Sequence, residues 1–192
     1  MDYDVNNSYL DRRCVFARLM RFGGKRTELV AGGPIAATAA GPSLAESQLQ
    51  PVVEAAIANW TTAGASSQVL AAMASVQIEI KPLPQGELGV EYPGVIYLDP
   101  KAQGYGWFVD PTPAQNDEFT QLGSTGELQA VDPQAVDRID LLTVVEHELG
   151  HVAGLGDLAP SATSLMSSTL APGIRREPGP VEIDAILAEP GT

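Results

Sequence analysis

The sequence predicts an α+β domain with a sheet packed on two long helices, and three observations support this prediction. Apolar residues recur at three- and four-residue steps over residues 49–60 and again over residues 139–152, which is the spacing of an amphipathic helix. Between these stretches, Val76, Ile78 and Ile80 alternate with polar residues, as in a half-buried strand. Helices and strands therefore occur in separate runs, which is typical of the α+β class.

The first long helix has a start signal ahead of its apolar face. Ser43 and Glu46 stand at the spacing of a capping box, in which each side chain accepts a hydrogen bond from the backbone N–H of the other residue. Pro51 lies within the periodic stretch, so the helix either begins there or is kinked there. A shorter helix is expected over residues 66–74.

Three further short strands follow the alternating one. Residues 88–90 and 95–98 flank a Tyr-Pro-Gly turn, and residues 106–109 form another run of strand-forming residues. Residues 110–126 are polar and contain prolines and glycines, so we expect a loop there. Together these strands supply the sheet on which the two helices pack.

The second long helix ends near residue 152, but its start has three candidates. Asp132, Asp137 and Asp140 could each cap the first turn, and the sequence does not choose between them. We expect an irregular stretch after this helix and then a short C-terminal helix near residues 181–187.

The length of 192 residues corresponds to one domain and a tail. Residues 1–42 show neither helical nor strand periodicity, so we expect a loosely ordered N-terminal extension or linker there and an ordered domain over residues 43–192. No run approaches the roughly 20 apolar residues of a membrane span, and no secretory signal pattern is visible. Two interpretations stay open, a cytoplasmic protein or a piece of a longer exported one.

The composition excludes several classes of function. A net charge of −13 disfavours binding to nucleic acid or to an anionic membrane, because both need a basic surface. The single cysteine, Cys14, excludes an internal disulfide and a cysteine-based metal cage. Only two histidines are present, so a metal site with three histidine ligands is excluded as well.

Both histidines belong to one motif in the second long helix, His147-Glu148-Leu149-Gly150-His151. Residues four apart lie on the same face of a helix, so both imidazoles can bind one metal ion. The carboxylate of Glu148 then lies beside the open position of the metal and can act on a water there. The alternative is two solvent-exposed histidines that bind nothing.

Two later residues extend this motif. Gly154 allows the left-handed turn that ends the helix. Asp157, three residues further on, can then return to the metal and supply a carboxylate oxygen, which is a ligand that zinc accepts. The expected metal ligands are therefore His147, His151 and Asp157, and the expected catalytic residue is Glu148.

Residues 147–157 resemble the long zinc motif of metzincin metallopeptidases, in the variant whose third ligand is an aspartate. The sequence Ser164-Leu165-Met166-Ser167 resembles the Met-turn of that family, in which a methionine lies beneath the metal site. Residues 104–113 and 140–145 are similar to matrixin-like domains of large bacterial surface and secreted proteins. The resemblance implies a zincin-type fold with a mixed, twisted sheet on two long helices. The active-site helix would precede an irregular region with the Met-turn and a short C-terminal helix.

The resemblance also implies a function, that of a zinc-dependent endopeptidase acting on a polypeptide substrate. One catalytic Zn²⁺ would bind the attacking water, and Glu148 would take the proton of that water. An extracellular or cell-surface location within a larger multidomain protein is implied too. The alternative is a non-catalytic, zinc-stabilised module of a larger extracellular or adhesin-type protein, although a purely structural site has no use for Glu148. The sequence does not distinguish cleavage of other chains from self-processing alone.

Three further expectations concern the surroundings of the site. By resemblance, Gly106, Trp107 and Phe108 would form a sheet edge to which an extended substrate adds as a strand, although Trp107 could equally be a core residue. The pair Arg13-Cys14 resembles the motif with which matrixin propeptides keep the enzyme latent, and an ordinary free thiol is the alternative. Calcium is common in the family, but no EF-hand pattern occurs here, so a Ca²⁺ ion is left open.

Overall fold

The computed structural model describes residues 26–33, 43–123 and 125–188, and these residues form an α+β domain. The class that the sequence predicts is therefore confirmed. The strands are β1 Arg26–Val30, β2 Gln77–Ile80, β3 Glu87–Tyr92, β4 Val95–Leu98, β5 Trp107–Phe108, β6 Phe119–Gln121, β7 Leu128–Ala130, β8 Ile139–Asp140, β9 Thr169–Leu170 and β10 Ile174–Arg175. The helices are α1 Leu49–Ala63, α2 Ser67–Ser75, α3 Leu141–Val152 and α4 Pro180–Ala188.

The main sheet has five strands in the order β2-β4-β3-β1-β9, and it is mixed. Strand β3 runs antiparallel to both of its neighbours, whereas β2 runs parallel to β4 and β1 runs parallel to β9. Two small sheets accompany it, with the orders β10-β7-β6 and β5-β8. The main apolar core lies between the five-stranded sheet and the helices α1 and α3.

Strand β1 corrects the expected domain boundary. Residues 26–30 were expected to be part of a loosely ordered extension, but they form an interior strand of the main sheet. The sequence does not reveal this strand, because its polar residue Glu28 is fully buried while its apolar residue Leu29 is exposed. The other residues of the predicted extension, 1–25 and 34–42, lie outside the described residues, and Cys14 lies among them.

The first long helix starts differently from the prediction. A short 3₁₀ turn, Glu46–Gln48, precedes α1, and the Gln48 side chain accepts a hydrogen bond from the backbone N–H of Ala45 at 2.9 Å. The predicted pairing of Ser43 with Glu46 is therefore replaced by a contact two residues further along the chain. Pro51 is the third residue of α1, where its missing N–H costs no helical hydrogen bond.

Helix α3 is buried over almost its whole length, which is unusual for a helix that carries glutamates and histidines. Its N-cap is Asp140, whose side chain accepts a hydrogen bond from the backbone N–H of Thr143 at 3.1 Å. Of the three predicted start signals, this is the one that caps the helix. Helix α1 packs along α3, and the indole N–H of Trp60 donates to the backbone oxygen of Glu146 at 3.2 Å.

A buried arginine holds the start of α3 against the small strands. The guanidinium of Arg175 on β10 donates to both carboxylate oxygens of Asp140 at 2.8 and 3.0 Å and to Asp110 at 2.8 Å. All three side chains are almost fully buried. The two carboxylates outweigh the effect of burial and raise the pKa of Arg175, so the guanidinium stays charged.

Replacing Arg175 with methionine should lower the free energy of unfolding by about 3–5 kcal/mol, because Asp110 and Asp140 would stay buried without a counter-charge. Urea unfolding of the metal-free protein measures this loss. The matched control is Arg138→Met, since the Arg138 side chain is exposed and its removal should change stability by less than about 0.5 kcal/mol. Equal losses in the two variants would contradict the assigned role of Arg175.

No helix among the described residues combines the length and the apolar character that crossing a bilayer demands.

Candidate metal centre

Helix α3 places its two histidines side by side. His147 and His151 are one helical turn apart, their ring centroids are 4.6 Å apart, and both side chains are buried. The two Nε2 atoms point toward the same carboxylate oxygen, Oδ1 of Asp157, at 3.3 and 3.2 Å. The Nε2 and Oδ1 atoms therefore converge on one point.

Backbone carbonyls fix which nitrogen of each ring carries the proton. The Nδ1 atom of His147 lies 2.9 Å from the backbone oxygen of Leu165, and Nδ1 of His151 lies 3.0 Å from that of Leu155. A carbonyl oxygen only accepts hydrogen bonds, so each Nδ1 is the protonated nitrogen and donates. Each neutral ring then presents the lone pair of Nε2, which is the form that binds a metal.

A tight turn returns the chain from α3 to the site. Gly154, the predicted turn residue, has a φ of 98°, in the left-handed region that favours glycine. Beyond it, Leu158 donates its backbone N–H to the oxygen of Met166 at 2.7 Å and accepts a hydrogen bond from Ser168 at 3.1 Å. This two-bond bridge anchors the residue that follows Asp157 and so holds the carboxylate opposite the two rings.

The donor atoms fit a metal ion. His147, His151 and Asp157 form a cluster whose ligand atoms all lie within 4.8 Å of one another, and this cluster could hold a metal ion. Both Nε2 atoms are buried and have no hydrogen-bond partner among the described residues. Two lone pairs that face a carboxylate oxygen repel it, and a cation between the three atoms would replace that repulsion by attraction.

The pKa shifts at the cluster agree with this arrangement. Burial lowers the pKa of His147, and the hydrogen-bonding position of Asp157 only partly opposes that effect. Burial alone would raise the pKa of Asp157, but a protonated imidazole would hydrogen-bond and attract this carboxylate, and these interactions with His147 and His151 hold the pKa well below its ordinary value. Both shifts favour the ligand forms, a neutral imidazole and an ionised carboxylate.

Glu148 follows His147 directly on α3, next to the cluster. Its side chain is fully buried, Oε1 accepts a hydrogen bond from the backbone N–H of Glu28 at 3.3 Å, and Oε2 has no partner among the described residues. Burial raises the pKa of Glu148 well above its ordinary value, and the nearby carboxylate of Glu28 raises it further. A carboxyl group with a raised pKa accepts a proton more readily than an ordinary glutamate.

Residues 164–168, here called the Met166 segment, pack against α3 at the turn between the two histidines. Met166 is buried, and its sulfur lies 2.5 Å from the position that a Cβ atom on Gly150 would occupy. Only a glycine at position 150 therefore lets the methionine pack this closely against the turn of α3 between the two histidines. The same segment supplies the Leu165 carbonyl that orients His147.

The residues predicted to form the substrate edge have buried side chains. Gly106, Trp107 and Phe108 are buried, and β5 pairs with β8 in a small separate sheet. The indole N–H of Trp107 donates to the backbone oxygen of Asp99 at 2.7 Å, so this residue belongs to the core. Trp107 is therefore a core residue, which was one of its two interpretations, and a role of Gly106, Trp107 and Phe108 as a substrate edge stays a prediction.

Sequence reasoning missed Glu28 as a residue of this site. Its fully buried carboxylate lies 3.9 Å from Nδ1 of His147, and its backbone N–H contacts Glu148. Nothing in the local sequence signals this, because the residue is brought to α3 by long-range strand pairing.

We expect the full chain to bind one Zn²⁺, used here as the probe, and Asp157→Ala to weaken that binding more than about 100-fold. Loss of a direct ligand should exceed the 10- to 100-fold cost that is typical of losing an outer partner. Competition with a chromophoric chelator measures both affinities. The control is Asp137→Ala, which removes an exposed carboxylate elsewhere. An unchanged affinity in Asp157→Ala would contradict the ligand assignment.

Comparisons with known proteins leave the site to be interpreted from its geometry. A scan against protein-family models finds no match, and searches of the curated proteins and of the solved structures find none either.

Proposed function

We propose that this protein is a zinc-dependent endopeptidase of the metzincin type. The observation that carries the proposal is the contact between the Glu148 carboxylate and a peptide N–H, which Glu28 donates at 3.3 Å. The amide N–H donates and the carboxylate accepts, so this contact holds Glu148 in place as a proton acceptor with a peptide nitrogen within hydrogen-bond reach. The adjacent residue, His147, belongs to the metal cluster.

The donor set supports zinc as the metal. Two imidazole nitrogens and one carboxylate oxygen are ligands that zinc accepts, and a three-ligand protein site leaves a fourth position open, as in catalytic zinc sites. When bound, zinc would supply a Lewis acid that polarises the peptide carbonyl and lowers the pKa of water. Asp157 is 31% exposed at its side chain, so the cluster reaches the surface at this ligand, whereas both histidines are buried.

The chain's own residues have distinct tasks in this reaction. His147, His151 and Asp157 hold the metal, and the carbonyls of Leu155 and Leu165 keep the two rings in the ligand orientation. Glu148 takes a proton from the attacking water and gives a proton to the amine that leaves. Burial raises the pKa of Glu148, which favours its taking the proton.

The runner-up is a non-catalytic module that uses zinc to hold its own tail in place. The anchoring of residues 155–168 around the cluster would serve that role as well. The buried carboxylate of Glu148 favours the enzyme, because burying it without a task costs free energy. An extracellular or cell-surface location within a larger protein is part of the proposal and rests on the resemblance of the zinc motif alone.

Glu148→Gln should lower the rate at which the zinc-loaded chain cleaves an unstructured protein such as casein by about 10²–10⁴-fold, since the glutamine cannot exchange a proton. Zinc affinity should stay unchanged. The appearance of new termini, followed by mass spectrometry, measures the rate.

The matched control is Glu146→Gln, on the same buried helix but away from the cluster. Burial raises the pKa of Glu146, and Asn59 donates to its Oε1 at 2.7 Å, so a neutral glutamine fits there. If zinc binds one to one and the wild-type chain cleaves no faster than Glu148→Gln, the peptidase proposal fails.

A further inference from the structure

Strand β1 fills a groove that would otherwise be open. It lies between β3 and β9, antiparallel to the first and parallel to the second, and β9 pairs with no other strand of the described chain. Both β9 and the Met166 segment come from the far end of the domain. Without β1, the strands β3 and β9 would be two facing edges with free backbone groups, which is a site that accepts an added peptide strand.

The strand contacts α3 beside the metal cluster. The Arg26 guanidinium donates to the backbone oxygens of His151 at 2.8 Å and of Leu155 at 3.1 Å, near the end of α3. Two residues later, the Glu28 carboxylate lies 3.9 Å from Nδ1 of His147. Arg26 and Glu28, the residues on either side of Thr27, therefore both contact the part of the chain that carries the two histidines.

One atom of that peptide bond is already in contact with the proposed catalytic carboxylate. The nitrogen of the Thr27–Glu28 bond is the backbone N of Glu28, and it donates to Oε1 of Glu148 at 3.3 Å. A general acid that protonates a leaving amine must be within hydrogen-bond reach of that nitrogen. After this residue the register of β1 against β3 shifts, between Glu28 and Leu29, and the strand then pairs again: Leu29 donates to the oxygen of Ser168 and Val30 donates to that of Gly86.

The side chain of Glu28 argues against a purely structural strand. Both carboxylate oxygens are buried and have no hydrogen-bond partner among the described residues. A strand selected only for stability would carry an apolar residue at this position, because burying a carboxyl group without a hydrogen-bond partner destabilises the fold. A groove selected to bind a peptide with an acidic residue after the scissile bond explains the placement.

We propose that β1 is a substrate built into the chain, and that the protein hydrolyses its own Thr27–Glu28 peptide bond. This inference rests on the proposed peptidase function and names its first substrate. One water is consumed: its oxygen forms a bond with the carbonyl carbon of Thr27, the C–N bond breaks, and its electron pair stays on the nitrogen. Glu148 delivers the proton to that nitrogen. The products are a Thr27 carboxylate and a new amino terminus at Glu28.

The direct test follows the intact mass of the full chain after addition of one equivalent of Zn²⁺. Wild type should convert to fragments 1–27 and 28–192, and Glu148→Gln should convert about 10²–10⁴-fold more slowly. The half-time should not change on tenfold dilution, because the strand belongs to the same molecule. A wild-type chain that stays intact at this bond, or a half-time that grows with dilution, would overturn the proposal.

A second measurement needs neither zinc nor activity. In metal-free Glu148→Gln, hydrogen exchange should be roughly 100-fold slower than in an unprotected chain at the amides of Leu29, Val30 and Ala31, which donate to backbone oxygens of the neighbouring strands. Exchange at the unprotected rate would show that β1 does not occupy the groove, and the proposal would fail.

Two different results separate the self-cleavage proposal from the peptidase function on which it rests. If zinc-loaded wild type cleaves added casein while its own Thr27–Glu28 bond stays intact, the self-cleavage proposal fails and the peptidase function stands. If zinc binds one to one and neither casein nor this bond is cut, the peptidase function fails and takes the self-cleavage with it.

Discussion

Two backbone carbonyls control the chemistry of this protein. The oxygens of Leu155 and Leu165 take the Nδ1 protons of the two histidines, so both rings must turn their Nε2 lone pairs toward Asp157. The convergence of three donors, and with it any metal chemistry, depends on this pair of hydrogen bonds. Each carbonyl belongs to the chain after α3, so the site forms only when the irregular region folds back under the helix.

The surrounding fold serves to keep α3 buried and fixed. Arg175 neutralises Asp140 at the start of the helix, and Met166 packs against Gly150 in the turn between the histidines. A helix buried on all sides carries its polar groups in a low-dielectric environment, where their mutual interactions are strong. The raised pKa of Glu148 is a consequence of that burial rather than of any single neighbour. The burial of α3 therefore affects both the stability of the fold and the reactivity of the site.

The sequence predicts the local parts of this structure and misses the long-range ones. The placement of His147 and His151 on one face follows from helical periodicity, and the left-handed turn at Gly154 follows from the need to end the helix, so both can be read from neighbours in the chain. Strand β1 could not be predicted, because its pairing partners are about 60 and 140 residues away and its buried residue is a glutamate. Trp107 was undecided for a related reason, since an aromatic residue fits a groove and a core equally well until its neighbours are known.

The central claim is that one metal is held by His147 Nε2, His151 Nε2 and Asp157. Anomalous diffraction at the zinc absorption edge, from crystals of zinc-loaded Glu148→Gln, tests it most directly. We expect one anomalous peak within about 2.0–2.2 Å of those two nitrogens and of a carboxylate oxygen. A peak at the Nδ1 side of either ring, or at another group of acidic residues, would contradict it.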